Sequence, residues 1–144
     1  MQLTSPAFGP NGTIPRTYTC QGADVSPELS IAAVPGEAES LVLILADPDA
    51  AGGRFDHWIV YNIPATITRI EKGTSPGALC LNDFGKTGYG GPCPPSGTHR
   101  YVFTLYALDC MLSLPTRVDR KELFDAMKGH VLTHAELIGH YGKS

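Results

Sequence analysis

The chain has 144 residues, 14 acidic and 11 basic, for a formal net charge of −3, and no run of Lys or Arg. Nothing therefore steers it to nucleic acid or to an anionic membrane surface. The length suits a single domain, 1–144, whose core can bury roughly two-thirds of the unfolded surface. No basic-then-apolar leader opens the sequence and no apolar run approaches the ~18 residues of a membrane span, so a cytoplasmic protein without stable membrane insertion is expected.

The 16 Gly and 12 Pro are scattered between short apolar runs rather than gathered into a linker, which is how a mainly β domain is punctuated. Asn11-Gly12-Thr13 has the form of a glycosylation sequon but reads as a turn after Gly9-Pro10. Strands are predicted over 16–19, 29–32, 40–46, 56–63 and 98–109. The segment 41–46 is apolar on both faces, which predicts a central strand covered on both sides. Along 98–109, His99, Tyr101, Phe103, Leu105 and Ala107 share one face, and Arg100, Val102, Thr104, Tyr106 and Leu108 the other. After Pro115 the period changes. Asp119 as N-cap, Glu122 as its capping-box partner and Leu123, Phe124, Met127 and Val131 at helical spacing predict a short C-terminal helix over about 120–133, weakened or ended early by Gly129. Alternation of Ala135, Leu137, Gly139 and Tyr141 predicts a short final strand.

Cys20, Cys80, Cys93 and Cys110 include no CxxC pair and no zinc-finger spacing, so no structural metal and no cofactor is expected. Free thiols are expected in a reducing cytosol, with Cys20 and Cys80 as a pair that oxidation could join. Three patterns that look functional fail on chemistry. Gly73-Thr74-Ser75-Pro76-Gly77 matches GxSxG, but Pro76 has no N–H for an oxyanion hole. His130 and His134 have the spacing of HExxH on the predicted helix, but Val131 stands where the general base belongs. The glycine-rich 88–97 segment lacks the pattern of a nucleotide loop; its prolines instead make a stiff wall.

That wall runs into His99, with Tyr101 two residues on and roughly 7 Å away on the same face. Asp47 ends one strand and His57 begins the next. Where such strand ends converge, Asp47 can accept a histidine N–H, while the free N–H groups act as donors in a site walled by Phe55 and Pro95. A small anion is the ligand this chemistry suits, a phosphate or a carboxylate. The alternative is that the two histidines are separate core residues with local partners and that Asp47-Pro48-Asp49 is a turn.

The ordered motifs Asp47-Pro48-Asp49-Ala50, His57-Trp58-Ile59-Val60-Tyr61-Asn62-Ile63-Pro64 and Pro94-Pro95-Ser96-Gly97-Thr98-His99-Arg100-Tyr101-Val102-Phe103 resemble the phosphatidylethanolamine-binding protein family. The Phe84-Gly85-Lys86-Thr87-Gly88-Tyr89 segment places the chain nearest its bacterial and archaeal Raf-kinase-inhibitor-like branch. The resemblance implies a Greek-key antiparallel β-sandwich. It also implies an anion cavity built by Asp47, His57, the loop from Gly91 to Pro95, His99 and Tyr101. Two departures stand out: Ala51 replaces the family's usual proline, and Cys93 interrupts the Gly/Pro loop, facing either the cavity or the packing behind it. The long C-terminal segment of eukaryotic relatives is not matched, which weakens the implication of phospholipid and Raf-kinase binding.

The expectation is thus a non-enzymatic binding protein for a small anionic ligand or a phosphorylated group, with Asp47, Phe55, His57, Gly91, Pro95, His99 and Tyr101 as ligand-binding residues. Regulation of a kinase or protease partner is the role the resemblance suggests, and a homodimer is compatible with the sequence. Two rival readings stay open. One is a hydrolase that uses Asp47, His57 and His99 on a metal or His99 as base; the other is a protease inhibitor acting through a surface loop.

Overall fold

The computed structural model describes residues 1–143. Eight strands and one short α-helix follow in chain order: β1 (Gln2–Thr4), β2 (Leu29–Ala32), β3 (Ser40–Ala50), β4 (Gly53–Pro64), β5 (Arg69–Ile70), β6 (Ala78–Leu79), β7 (Thr98–Leu108), α1 (Arg120–Met127) and β8 (Val131–Gly142). They form two antiparallel sheets, β1-β2-β5 and β6-β4-β3-β7-β8. After the β3–β4 hairpin the chain crosses to pair β7 on the far side of β3, the Greek-key step.

Residues 41–46 of β3 are central and dry because neither face of that stretch is polar. Leu41, Leu43 and Leu45 point between the two sheets with Trp58, Val60, Tyr101, Phe103 and Leu105. Val42, Ile44 and Ala46 point outward, where Leu112, Val118 and the Leu123 and Met127 side chains of α1 cover them. α1 begins as predicted: Asp119 accepts from the Glu122 amide at 2.8 Å while Glu122 reaches back to the Asp119 amide. The outer edge of β8 is covered around Ile138 to His140 by residues 11–14. There the Asn11 and Ile14 amides donate to Ile138 and His140 carbonyls, and the His140 amide returns a bond to Gly12.

Four expectations are corrected. Residues 16–18 form one turn of 3-10 helix rather than a strand, closed by the Thr19 hydroxyl, which donates to the carbonyl of Arg16 at 2.8 Å. α1 stops at Met127 instead of 133, because Gly129 takes a left-handed φ of +80° and the chain re-enters the sheet at Val131, opposite Leu108. The last strand is accordingly not short: it runs for twelve residues and pairs along the whole of β7. His130 lies in the turn before β8 and His134 faces Tyr106 across the sheet, so no helical histidine pair exists.

The cysteines are also corrected. Cys20 is joined to Cys93, 73 residues away, while Cys80 is a buried free thiol. Proximity decided this: the 3-10 turn lays residues 18–24 against the 89–93 loop, where the Cys20 amide donates to Pro92 O at 3.1 Å. Cys80 instead sits on the outer face, its thiol pushed up to about 11 by burial and by the nearby Asp119 and Asp56 carboxylates.

Candidate functional site

The β3–β7 ladder ends at Ala46 and Val102. Beyond it, side chains take over from the backbone. Asp47 Oδ2 lies 2.6 Å from His99 Nδ1, and Asp49 receives the Arg100 amide together with Nε and Nη2 of its guanidinium at 2.8 to 3.0 Å. The guanidinium and the amide hold Asp49 well below the usual carboxylate range. Asp47-Pro48-Asp49 is therefore part of β3 and not a turn. Its two carboxylates tie the end of β3 to the beginning of β7 where main-chain pairing has stopped.

A second irregularity aims His57. On β3 the partners of Trp58 and Asp56 are the adjacent residues Leu45 and Ala46, which leaves His57 as the extra residue of a bulge. The bulge breaks strict alternation. Phe55 and Trp58 both face the inter-sheet side, Asp56 faces the helix side, and His57 joins the inner group, its ring 5.0 Å from Phe55 and 5.5 Å from Tyr101. Asp56 on the outer side is held by Arg54 at 2.9 Å and by Arg120 of α1, which anchors the helix to the bulged strand.

The result is a cavity of about 300 Å³ at the end of the sandwich, lined by Asp47, Ala50, Ala51, Phe55, His57, Phe84, Cys93, Pro94, Pro95, His99 and Tyr101. Six of the seven residues singled out in the sequence lie on its wall; Gly91 does not. The Gly91 amide instead donates to Asp24 at 2.8 Å behind the wall, and a Cβ there would lie 2.3 Å from Tyr18 O. Glycine at 91 is needed for that close approach, so its place is in the support of the loop. Cys93 does border the cavity, but as half of a disulfide it offers no free thiol.

Phe84, Ala50 and Ala51 were not anticipated as wall residues, whereas Pro94 belongs to the expected Gly91 to Pro95 loop. Phe84 reaches the cavity through Asn82, whose side chain accepts from the Phe84 and Lys86 amides and donates to Gly88 O at 3.0 Å. The ring then stands edge-on to Phe55 and His57, at 4.8 and 5.3 Å, over Gly90, where any Cβ would collide with it. An aromatic between Asn-Asp and Gly in a polar turn was the available signal.

The histidine chemistry differs from the simple expectation of two donors. His57 Nδ1 is 2.7 Å from Gly90 O, and a carbonyl can only accept, so Nδ1 carries the proton. Burial holds the ring's pKa down despite the pull of Gly90 and Asp47. In its neutral form His57 therefore offers a lone pair at Nε2, which turns donor only when the ring takes up a proton. His99, fixed through Nδ1 by Asp47, likewise has Nε2 free. Tyr101 contributes a fully buried hydroxyl that, among the described residues, has no partner at good hydrogen-bonding geometry, with the Asp47 carboxylate and the Cys93 backbone as its polar neighbours. Burial and the neighbouring Asp47 keep that phenol protonated, leaving an O–H donor available to a ligand.

Asp47, His57 and His99 do not converge as a metal-ligand set among the described residues. No helix there is long and apolar enough to cross a membrane.

Comparison with known proteins follows the same lines. Residues 4–142 match the sequence profile of the family described as phosphatidylethanolamine-binding protein. The chain is 49% identical to a UPF0098 protein of Chlamydia pneumoniae over the full length of both, and 48% identical to a UPF0098 protein of Methanothermobacter thermautotrophicus over 98% of each. A Chlamydia trachomatis protein whose crystal structure is described as that of a phosphatidylethanolamine-binding protein homologue superposes with a TM-score of 0.96 at 45% identity, covering 99% of this chain and 97% of that one. E. coli YbcL, described as a member of the mammalian family, does so with 0.90 at 28% identity, covering 99% and 98%. The chain belongs to the phosphatidylethanolamine-binding protein family.

Proposed function

We propose that this protein is a non-enzymatic binding protein whose cavity takes a small anionic group, a phosphate ester or a carboxylate, and that occupancy governs its action on a kinase or protease partner. The observation that carries the reading is the buried, unpartnered Tyr101 hydroxyl beside two histidines, each fixed through Nδ1 and free at Nε2. A hydrogen bond from such a donor to a charged acceptor is worth about 1.5–3 kcal/mol, which a bound anion would gain. The apolar wall of Phe55, Phe84, Pro94 and Pro95 excludes water and strengthens each polar contact. Among the described residues of this wall the one thiol is oxidised and the one carboxylate is committed to His99 and the Asp49 amide, so neither is free to attack a substrate. This favours binding over covalent catalysis.

The test is a histidine-ring NMR titration of the wild type and of His99→Ala with inorganic phosphate, O-phosphoethanolamine and acetate. Saturable shifts of the His57 and His99 rings with the phosphate compounds, abolished by the substitution, are expected. Silence towards every anion would overturn the proposal.

A further inference from the structure

At the other end of β7, about ten residues or 33 Å of strand from His99, a second group of chemically active side chains comes together. Asp109 and Cys110 are the first residues beyond β7, where the chain departs for α1; His130 is the last residue before β8, where it returns. One ligand atom of each, carboxylate oxygen, thiol sulfur and imidazole nitrogen, lies within 4.8 Å of the other two.

The backbones that carry these groups are fixed. The Asp109 amide donates to His130 O at 2.9 Å, and the His130 amide to Met127 O at 3.0 Å. The fully buried Ser40 hydroxyl donates to Cys110 O at 2.6 Å. Little chain entropy remains to be lost on binding, because the sheet and the end of α1 already hold the three residues together.

We propose that Asp109, Cys110 and His130 form a binding site for a thiophilic divalent transition-metal ion of the Zn²⁺ class. The donor set decides the class. One thiolate sulfur, one imidazole nitrogen and one carboxylate oxygen suit zinc, whereas magnesium and calcium demand oxygen donors alone. Three protein ligands leave the fourth tetrahedral position to water or an incoming group. Asp109 and His130 are about half exposed, so an ion has a direct entry path. Without metal, His130 Nδ1 and Asp109 Oδ1 face each other at 2.7 Å as a surface pair, whose own contribution to stability is small. Binding replaces that contact by two metal bonds and forms a third to sulfur. The Cys110 thiol gives up its proton to solvent, and the bond formed is metal to thiolate; no electron is transferred.

Thiol topology makes the test specific. Cys20 and Cys93 are joined and Cys80 is fully buried, so in the oxidised protein Cys110 is the accessible free thiol among the described residues. Titration of the protein with Co²⁺ in reductant-free, weakly buffered solution is expected to give a sulfur-to-cobalt charge-transfer band saturating at one ion per chain. Proton release should accompany it, and Zn²⁺ should bleach it. Cys110→Ser and His130→Asn should each abolish the band, and His99→Ala should leave it intact. Absence of the band would overturn the proposal. So would its survival in Cys110→Ser or in His130→Asn, or its loss in His99→Ala, which would show that the band does not report Asp109, Cys110 and His130 alone.

Discussion

Tyr101→Phe tests the candidate site from two sides at once, because the structure demands opposite signs for stability and for binding. The hydroxyl is fully buried and unpartnered in the empty protein, and phenylalanine keeps the ring that stacks with His99 and meets His57 edge-on. Removing an unsatisfied buried donor should stabilise the phosphate-free protein by about 1 kcal/mol, or roughly 3 °C in Tm for a chain of this size. Affinity should fall instead. A hydrogen bond to a charged acceptor contributes about 1.5–3 kcal/mol, so phosphate should bind roughly 10- to 100-fold more weakly. At a phosphate concentration 100 times the wild-type Kd, the wild type gains about 2.7 kcal/mol from the ligand and the variant about 0.4–1.4. The order of stabilities therefore reverses: the variant leads in phosphate-free buffer and the wild type leads at saturation. Paired urea unfolding curves, with and without phosphate, read both signs in one experiment. A variant less stable than wild type without ligand, or one that binds phosphate equally well, would refute the reasoning.

Opening the Cys20–Cys93 bond by reduction or by Cys93→Ser frees a 73-residue loop in the unfolded chain, which should lower stability by about 4 kcal/mol in denaturant unfolding. Phosphate affinity should change by less than about tenfold, since the Gly91–Asp24, Tyr89–Tyr18 and Cys20–Pro92 hydrogen bonds still hold the loop; an unmoved midpoint would show that the bond does not constrain the chain. Gly91→Ala attacks the same support from inside. Its Cβ would overlap Tyr18 O and Asp24 Oδ1 at 2.3 and 2.5 Å, so a loss of about 1–3 kcal/mol together with weaker phosphate binding is expected, and a neutral substitution would contradict the close approach. His57 sets a pH dependence. Its ring titrates lower in the folded protein than the ~6.5 of an unfolded histidine, so its contribution is fully present above that pH. It is lost as pH falls towards the lower folded value, because the unfolded chain takes up the proton first. His57→Gln should flatten that part of the stability–pH profile. Because protonation turns Nε2 into a donor, phosphate binding should tighten over the same interval, and binding that weakens on acidification would exclude the His57 role.

Much of the fold was legible because it rests on local patterning. The doubly apolar 41–46 run could be buried on both faces only as a central strand, and the Asp119–Glu122 capping box marked the start of α1 to the residue. Asp47, His57, His99 and Tyr101 stood out because polar groups at the ends of core strands are costly unless they face a partner or a ligand. What the pattern could not give is geometry that depends on contacts distant in sequence. The bulge that turns both His57 and Trp58 inward exists only in the register between β3 and β4, and period-two alternation reads it incorrectly. The choice of Cys93 over Cys80 as partner of Cys20 and the placement of Gly91 behind the wall were likewise decided by which segments meet in space. The apolar residues determine by their spacing which faces are buried; the pairing of strands far apart in the chain determines which polar atoms are left facing one another, and those atoms make the site.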